Sequence, residues 1–128
     1  MGAIRLEGKM SFVNLDRTAA EAAQAALGHN ATQAQIVDTL LILNRHGLYA
    51  MTLYLGQSKN LGVLGALLSK WVTIAPGEAS TAPRETTLES YLSYFREPWT
   101  DNLSNLLLAR EWFEQSLTYL RYLLKGKL

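Results

Sequence analysis

Cysteine is absent from all 128 residues, which excludes a disulfide framework, a thiolate metal site and a cysteine nucleophile, and fits a reducing cytosol. Only two histidines, His29 and His46, accompany the carboxylates, too few for a zinc site, and the sequence implies no cofactor. Charge of either sign is scarce. Twelve Lys and Arg against eleven Asp and Glu leave a net charge of +1, so no global field draws in nucleic acid or anionic lipid, and such binding needs a local patch. No run of about 18 uncharged apolar residues occurs, and Met1–Met10 has no long apolar stretch, so the expectation is a soluble, cytoplasmic chain with no membrane contact. Phosphate-binding glycine loops, a G-x-S-x-G elbow and an H-E-x-x-H helix are all missing.

What is present is helical periodicity. A chain of this length suits one domain, residues 1–128, and can bury roughly two thirds of its unfolded surface. Hydrophobic residues make up 48% against 18% charged, which leaves part of the surface neutral or apolar and suits protein partners. Residues 1–13 have no helical period and read as an irregular arm. Thr18-Ala-Ala-Glu21 has capping-box spacing and Gly28 offers a left-handed stop, giving a first helix at 16–27. Thr32 caps a second, with Ile36, Leu40, Leu41 and Leu43 on its apolar stripe, ending near Arg45. Gly47 then hinges into a short helix, 48–57, that is apolar on every side and so belongs in the middle of a bundle.

Asn60 is placed to cap a fourth helix through Trp71, in which Gly62 and Gly65 each cost about 1 kcal/mol of propensity but permit a close crossing. Residues 74–86, with Pro76 and Pro83, read as a surface loop. Thr87 caps a fifth helix, Leu88 to Arg96, with Pro98 as its stop. Thr100 or Asp101 begins the last and longest helix, to Leu124. No strand-like alternation persists, and the fold class is all-α, a compact bundle of five or six helices.

The candidate functional residues are basic. On the last helix a broad apolar sector contains Leu106, Trp112, Phe113, Leu117 and Leu120. Arg110 and Arg121, eleven residues apart, fall within about 20° of each other at its border, with Lys125 one turn on. They form a ridge spaced for successive phosphates, or else Arg110 pairs with Glu114 and Arg121 snorkels over leucines. Arg45, Lys59 and Lys70 sit at helix ends, where they serve nucleic acid or complement helix dipoles. Tyr91, Tyr94, Tyr119 and Tyr122 have the chemistry to stack bases and the spacing of core-edge packing. Glu111 and Glu114 form a lone E-x-x-E pair without the histidines of a di-iron site, and Ser58 and Ser69 have no positioned base, so the domain reads as non-catalytic.

The segment Leu40–Lys59, in which an apolar helix ends at Gly47-Leu48, a helix with Thr52 and Leu53 follows, and Lys59 closes the unit, resembles a signature of the small helical subunit of Cmr-type, type III-B, CRISPR effector complexes, with Tyr54 where phenylalanine is frequent in that family. Leu107–Leu124, with Ala109-Arg110-Glu111 near its start, is similar to that family's last helix, which has a Thr-Arg-Glu-like start and an aromatic-basic finish, and the likeness extends over residues 32–125. The short alanine-rich first helix and the proline-containing loop depart from the pattern, so a related type III or type I small subunit fits as well. The resemblance implies a non-enzymatic subunit that stacks with copies of itself and other effector subunits along the guide RNA and lines the groove for target RNA. The different reading, from composition alone, is a protein-only helical adaptor or regulatory bundle.

Overall fold

A computed structural model describes residues 12–75, 77–96 and 103–126. They form six α-helices: α1 (Phe12–Ala26), α2 (Gln33–His46), α3 (Leu48–Gln57), α4 (Leu61–Trp71), α5 (Leu88–Arg96) and α6 (Leu103–Gly126), with 3-10 turns at Leu27–His29 and Gly77–Ser80. No strand occurs among the described residues, and α6 is the longest helix, so the architecture is the all-α bundle that the periodicity predicts. None of these helices is long and apolar enough to cross a membrane. The expectations for residues 1–11, Pro98, Thr100 and Asp101 lie outside the described residues.

One face of the first helix is packed into the bundle, while Asp16, Arg17, Glu21 and Gln24 stand exposed on the other. Ala19, Ala22, Ala23 and Ala26 recur at helical spacing and have essentially no exposure, and α1 packs this stripe against both α4 and α6. Methyl side chains let the backbones approach closely. Near its start, Asp16 accepts hydrogen bonds from Gln115 Nε2 at 2.6 Å and from the Tyr119 hydroxyl, which ties α1 to the second half of α6. The expected boundaries of this helix change accordingly. It begins at Phe12, so Thr18 lies inside it and is no cap, and the left-handed residue after it is Asn30, φ 62°, not Gly28.

Thr32 does build the capping box with Gln35, and Thr87 Oγ1 accepts from the Ser90 amide at the start of α5. Asn60 caps by backbone alone. Its buried side chain turns to Ser58 Oγ at 3.1 Å, while Lys59 takes the left-handed conformation, φ 63°. Contrary to the expectation of a central helix, α3 buries only Leu48, Met51, Thr52 and Leu55 and leaves Tyr49 and Leu53 exposed. Uniform apolarity here marks a half-buried helix with an apolar outer face.

Rings fill the space that alanines leave open. Trp71 of α4 meets Trp112 and Phe113 of α6 at centroid distances of 5.4 and 6.0 Å, and Phe95 of α5 meets Phe113 at 5.7 Å. The buried Trp112 indole N–H has no acceptor among the described residues. Residues 74–86 do not run wholly over the surface, since Ala75 and Ala79 are buried and the Ala79 carbonyl accepts the Tyr94 hydroxyl. Gly65 allows α5 to lie close, because an added Cβ there would fall 2.9 Å from Tyr91 Oη.

Gly47 joins α2 to α3 at φ 95° and ψ −173°, a region that side chains strain to adopt. Gly47→Val should therefore lower unfolding free energy by about 1–3 kcal/mol, measured by denaturant titration. Ala23→Leu should cost a similar amount, about 1–3 kcal/mol, by forcing α1 away from its neighbours, whereas the exposed Ala34→Leu should be nearly neutral in the same assay.

Candidate nucleic-acid interface

The six candidate cations do not form one continuous ridge. Arg110 is half-buried, and its guanidinium donates to the main-chain carbonyl of Asn44 at the end of α2, not to Glu114. Arg45, exposed in the same last turn of α2, thereby lies near Arg110. Arg121 and Lys125 are both exposed, one turn apart on α6, and Arg121 lies over the Tyr122 ring at 5.9 Å. They stand about 16 Å and about 22 Å along the axis from Arg110.

Lys59 and Lys70 occupy other places. Lys59 is exposed just after α3, and Lys70 is half-buried in the last turn of α4, positions at which a cation complements the carbonyl end of a helix. The structure supplies no contact that joins either to the α6 cations.

The tyrosines divide sharply. Tyr91 and Tyr94 are 4% and 6% exposed and unavailable to a base. Tyr119 is half-buried in its contact with Asp16. Tyr122, 60% exposed, is the one of the four open to a ligand. Tyr49, which periodicity places in the bundle centre, is 40% exposed at the start of α3. Its exposure follows from which side of α3 meets α2, α4 and α5, a fact that the helix's uniform apolarity conceals.

Other polar groups are engaged structurally. The Ser58 and Ser69 hydroxyls donate to the carbonyls of Leu55 and Ala66, and among the described residues no three His, Asp or Glu side chains gather as metal ligands. An open groove between residues 81–87 and α5 carries Arg84 with both Glu85 and Glu89, a mixed charge that favours neither anion nor cation. Comparison with known protein families, characterised proteins and solved structures finds no match to this chain.

Tyr94 organises the groove's base. Its oxygen accepts the Trp71 indole N–H at 2.9 Å and its hydrogen goes to Ala79, while burial raises its pKa well above the ordinary 10.0. Burial also raises Tyr91; burial and the Asp38 carboxylate raise Tyr54; the hydrogen bond to Asp16 raises Tyr119. Unfolded tyrosines lose protons near pH 10, and the folded ones hold them longer, so above that pH the folded state binds more protons and stability falls as pH rises. Tyr94→Phe should cost about 1–3 kcal/mol near neutrality, by stranding the Trp71 donor and the Ala79 carbonyl. It should also flatten the decline in unfolding temperature between about pH 9 and about pH 11, measured by circular dichroism.

Proposed function

We propose that the chain is a non-catalytic small subunit of an RNA-guided CRISPR effector complex, of type III-B or a related type III or type I kind, which stacks along the guide filament and helps to hold the target strand. The observation that carries this reading is the pair Arg121 and Lys125, exposed one turn apart on α6 with no carboxylate partner among the described residues. Charge left unneutralised at helical spacing suits the phosphates of a strand. The resemblance of Leu40–Lys59 and Leu107–Leu124 to the small-subunit family supports it, and so does the positive φ of Gly47 at the hinge around which that resemblance centres.

The cytoplasm is the compartment this role requires. Val37, Leu41, Tyr49 and Leu53, exposed by 38–48% on α2 and α3, favour a second reading in which the chain is a protein-only adaptor. Crosslinking of RNA to the assembled complex separates the two, because an adaptor yields no RNA adduct on α6.

Arg121→Ala with Lys125→Ala should leave folding and assembly intact, since both side chains are exposed. Retention of target RNA by the assembled complex should weaken severalfold at moderate salt, and the dependence on salt should become shallower by about 0.7 per lost phosphate contact. Wild-type retention and salt dependence in the double variant would remove α6 from the RNA surface. Purified chain should not cleave RNA with or without divalent cations.

A further inference from the structure

The contact between Arg110 and Asn44, residues 66 apart in sequence, assembles a group of side chains that no local pattern brings together. Asn44, Arg45 and His46 are all exposed in the last turn of α2, and Arg110 reaches them from α6. The carbonyl end of a helix ordinarily repels anions, but here Arg110 donates to one of those carbonyls and offsets it. One N–H group of the guanidinium is used in that contact, and an arginine has five donors, so most of the fork remains for another acceptor.

Gly47 then turns the chain, and the first turn of α3 presents Tyr49 with 40% of its surface open. Tyr49 follows Arg45 by four positions, so their Cα atoms lie within about 14 Å. Cations for phosphate within one nucleotide's reach of an exposed aromatic face for a base are the two elements by which single-stranded nucleic acid is held without regard to sequence.

We infer that the α2–α3 hinge is a nucleotide subsite for single-stranded RNA, in which Arg45 and Arg110 hold a phosphate and Tyr49 stacks on a base. The inference rests on the reading of this chain as an RNA-contacting subunit and adds a second contact point to Arg121 and Lys125. The distance of about 16 Å from Arg110 to Arg121 spans about five stacked nucleotides, so one strand can meet both. Glu111, next to Arg110 in sequence, and Glu114, one turn beyond it, are the nearby acidic groups on α6, both exposed, and both oppose the binding.

The full-length chain titrated at low salt with a short labelled oligouridine, followed by fluorescence anisotropy, tests the subsite. Tyr49→Ala should bind about tenfold more weakly with an unchanged salt slope, and Tyr49→Phe should bind as wild type. Arg45→Ala should lower the slope by about 0.7, and Glu114→Gln should strengthen binding. Leu53→Ser, one turn along the outer face of α3 from Tyr49, should bind RNA normally. Unfolding temperatures near wild type for each variant establish that folding is not the cause.

Normal binding by Tyr49→Ala and Arg45→Ala, alongside weakened binding by the Arg121 and Lys125 double variant, overturns the hinge subsite and leaves the RNA reading standing. Failure of the wild-type chain to bind the oligouridine at low salt, with no RNA adduct in the assembled complex, overturns both. Equal RNA-binding losses in Leu53→Ser and Tyr49→Ala with Arg45→Ala unaffected, or loss of subunit assembly in the first two with RNA binding intact, would assign the α3 face to a protein partner and also overturn the subsite.

Discussion

The stripe of Ala19, Ala22, Ala23 and Ala26 is the constraint around which this bundle is arranged. A helix with methyl groups at its contacts allows neighbouring axes toward the short end of the usual range of about 8–10 Å, and α1 meets two helices in this way. The volume that α1 does not supply has to come from elsewhere. Trp71, Trp112, Phe113 and Phe95 supply it, meeting one another at centroid distances between 5.0 and 6.0 Å among α4, α5 and α6. Alanine gives little apolar area per residue, so α1 also needs a directional tie. Asp16 with Gln115 and Tyr119 is that tie, fixing the register of α1 along α6 where smooth alanine surfaces would otherwise slide.

Much of this was legible in the sequence because helix periodicity is a local property. Ile36, Leu40 and Leu43 are buried as their spacing requires, although Leu41, read on the same stripe, turns outward and is 48% exposed; Thr32 and Thr87 cap, and Gly47 takes the positive φ that a hinge between helices demands. The misreadings have physical causes. Thr18-Ala-Ala-Glu21 matches a capping box, yet alanine-rich sequence on its C-terminal side and packing against α6 let the helix run through it from Phe12. Gly28 lost the left-handed position to Asn30, which shares the tolerance for that conformation. The apolarity of α3 left its direction undetermined, because a helix without a polar face carries no signal of which side faces inward.

The candidate site was less legible, and for a different reason. Eleven-residue spacing puts Arg110 and Arg121 on one side of a continuous helix, but spacing is silent about what stands opposite. Arg110 meets the end of α2, and the position of that end depends on the whole path of the chain from Asn30 to Gly47. Arg45 and Tyr49 acquire their relation to Arg110 only through this tertiary contact. The division of the tyrosines is non-local in the same way: Tyr94 is held by Trp71 and Ala79, whereas Tyr122, of the same residue type and also on a helix, stands in solvent.

Near-neutral charge is a functional constraint under the proposed role. With a net charge of +1, a single copy offers few phosphate contacts, so free RNA should be held weakly and released readily. A repeating assembly reverses the balance without adding a residue, because each neighbouring copy presents its cations to a strand already held nearby, and effective concentration multiplies weak contacts. A more basic chain would bind any cellular RNA before assembling. Under that role the exposed Val37 and Leu41 of α2 and the sparse charge elsewhere would let contacts between proteins form first, so that strong RNA binding would be a property of the assembled filament and not of the free subunit.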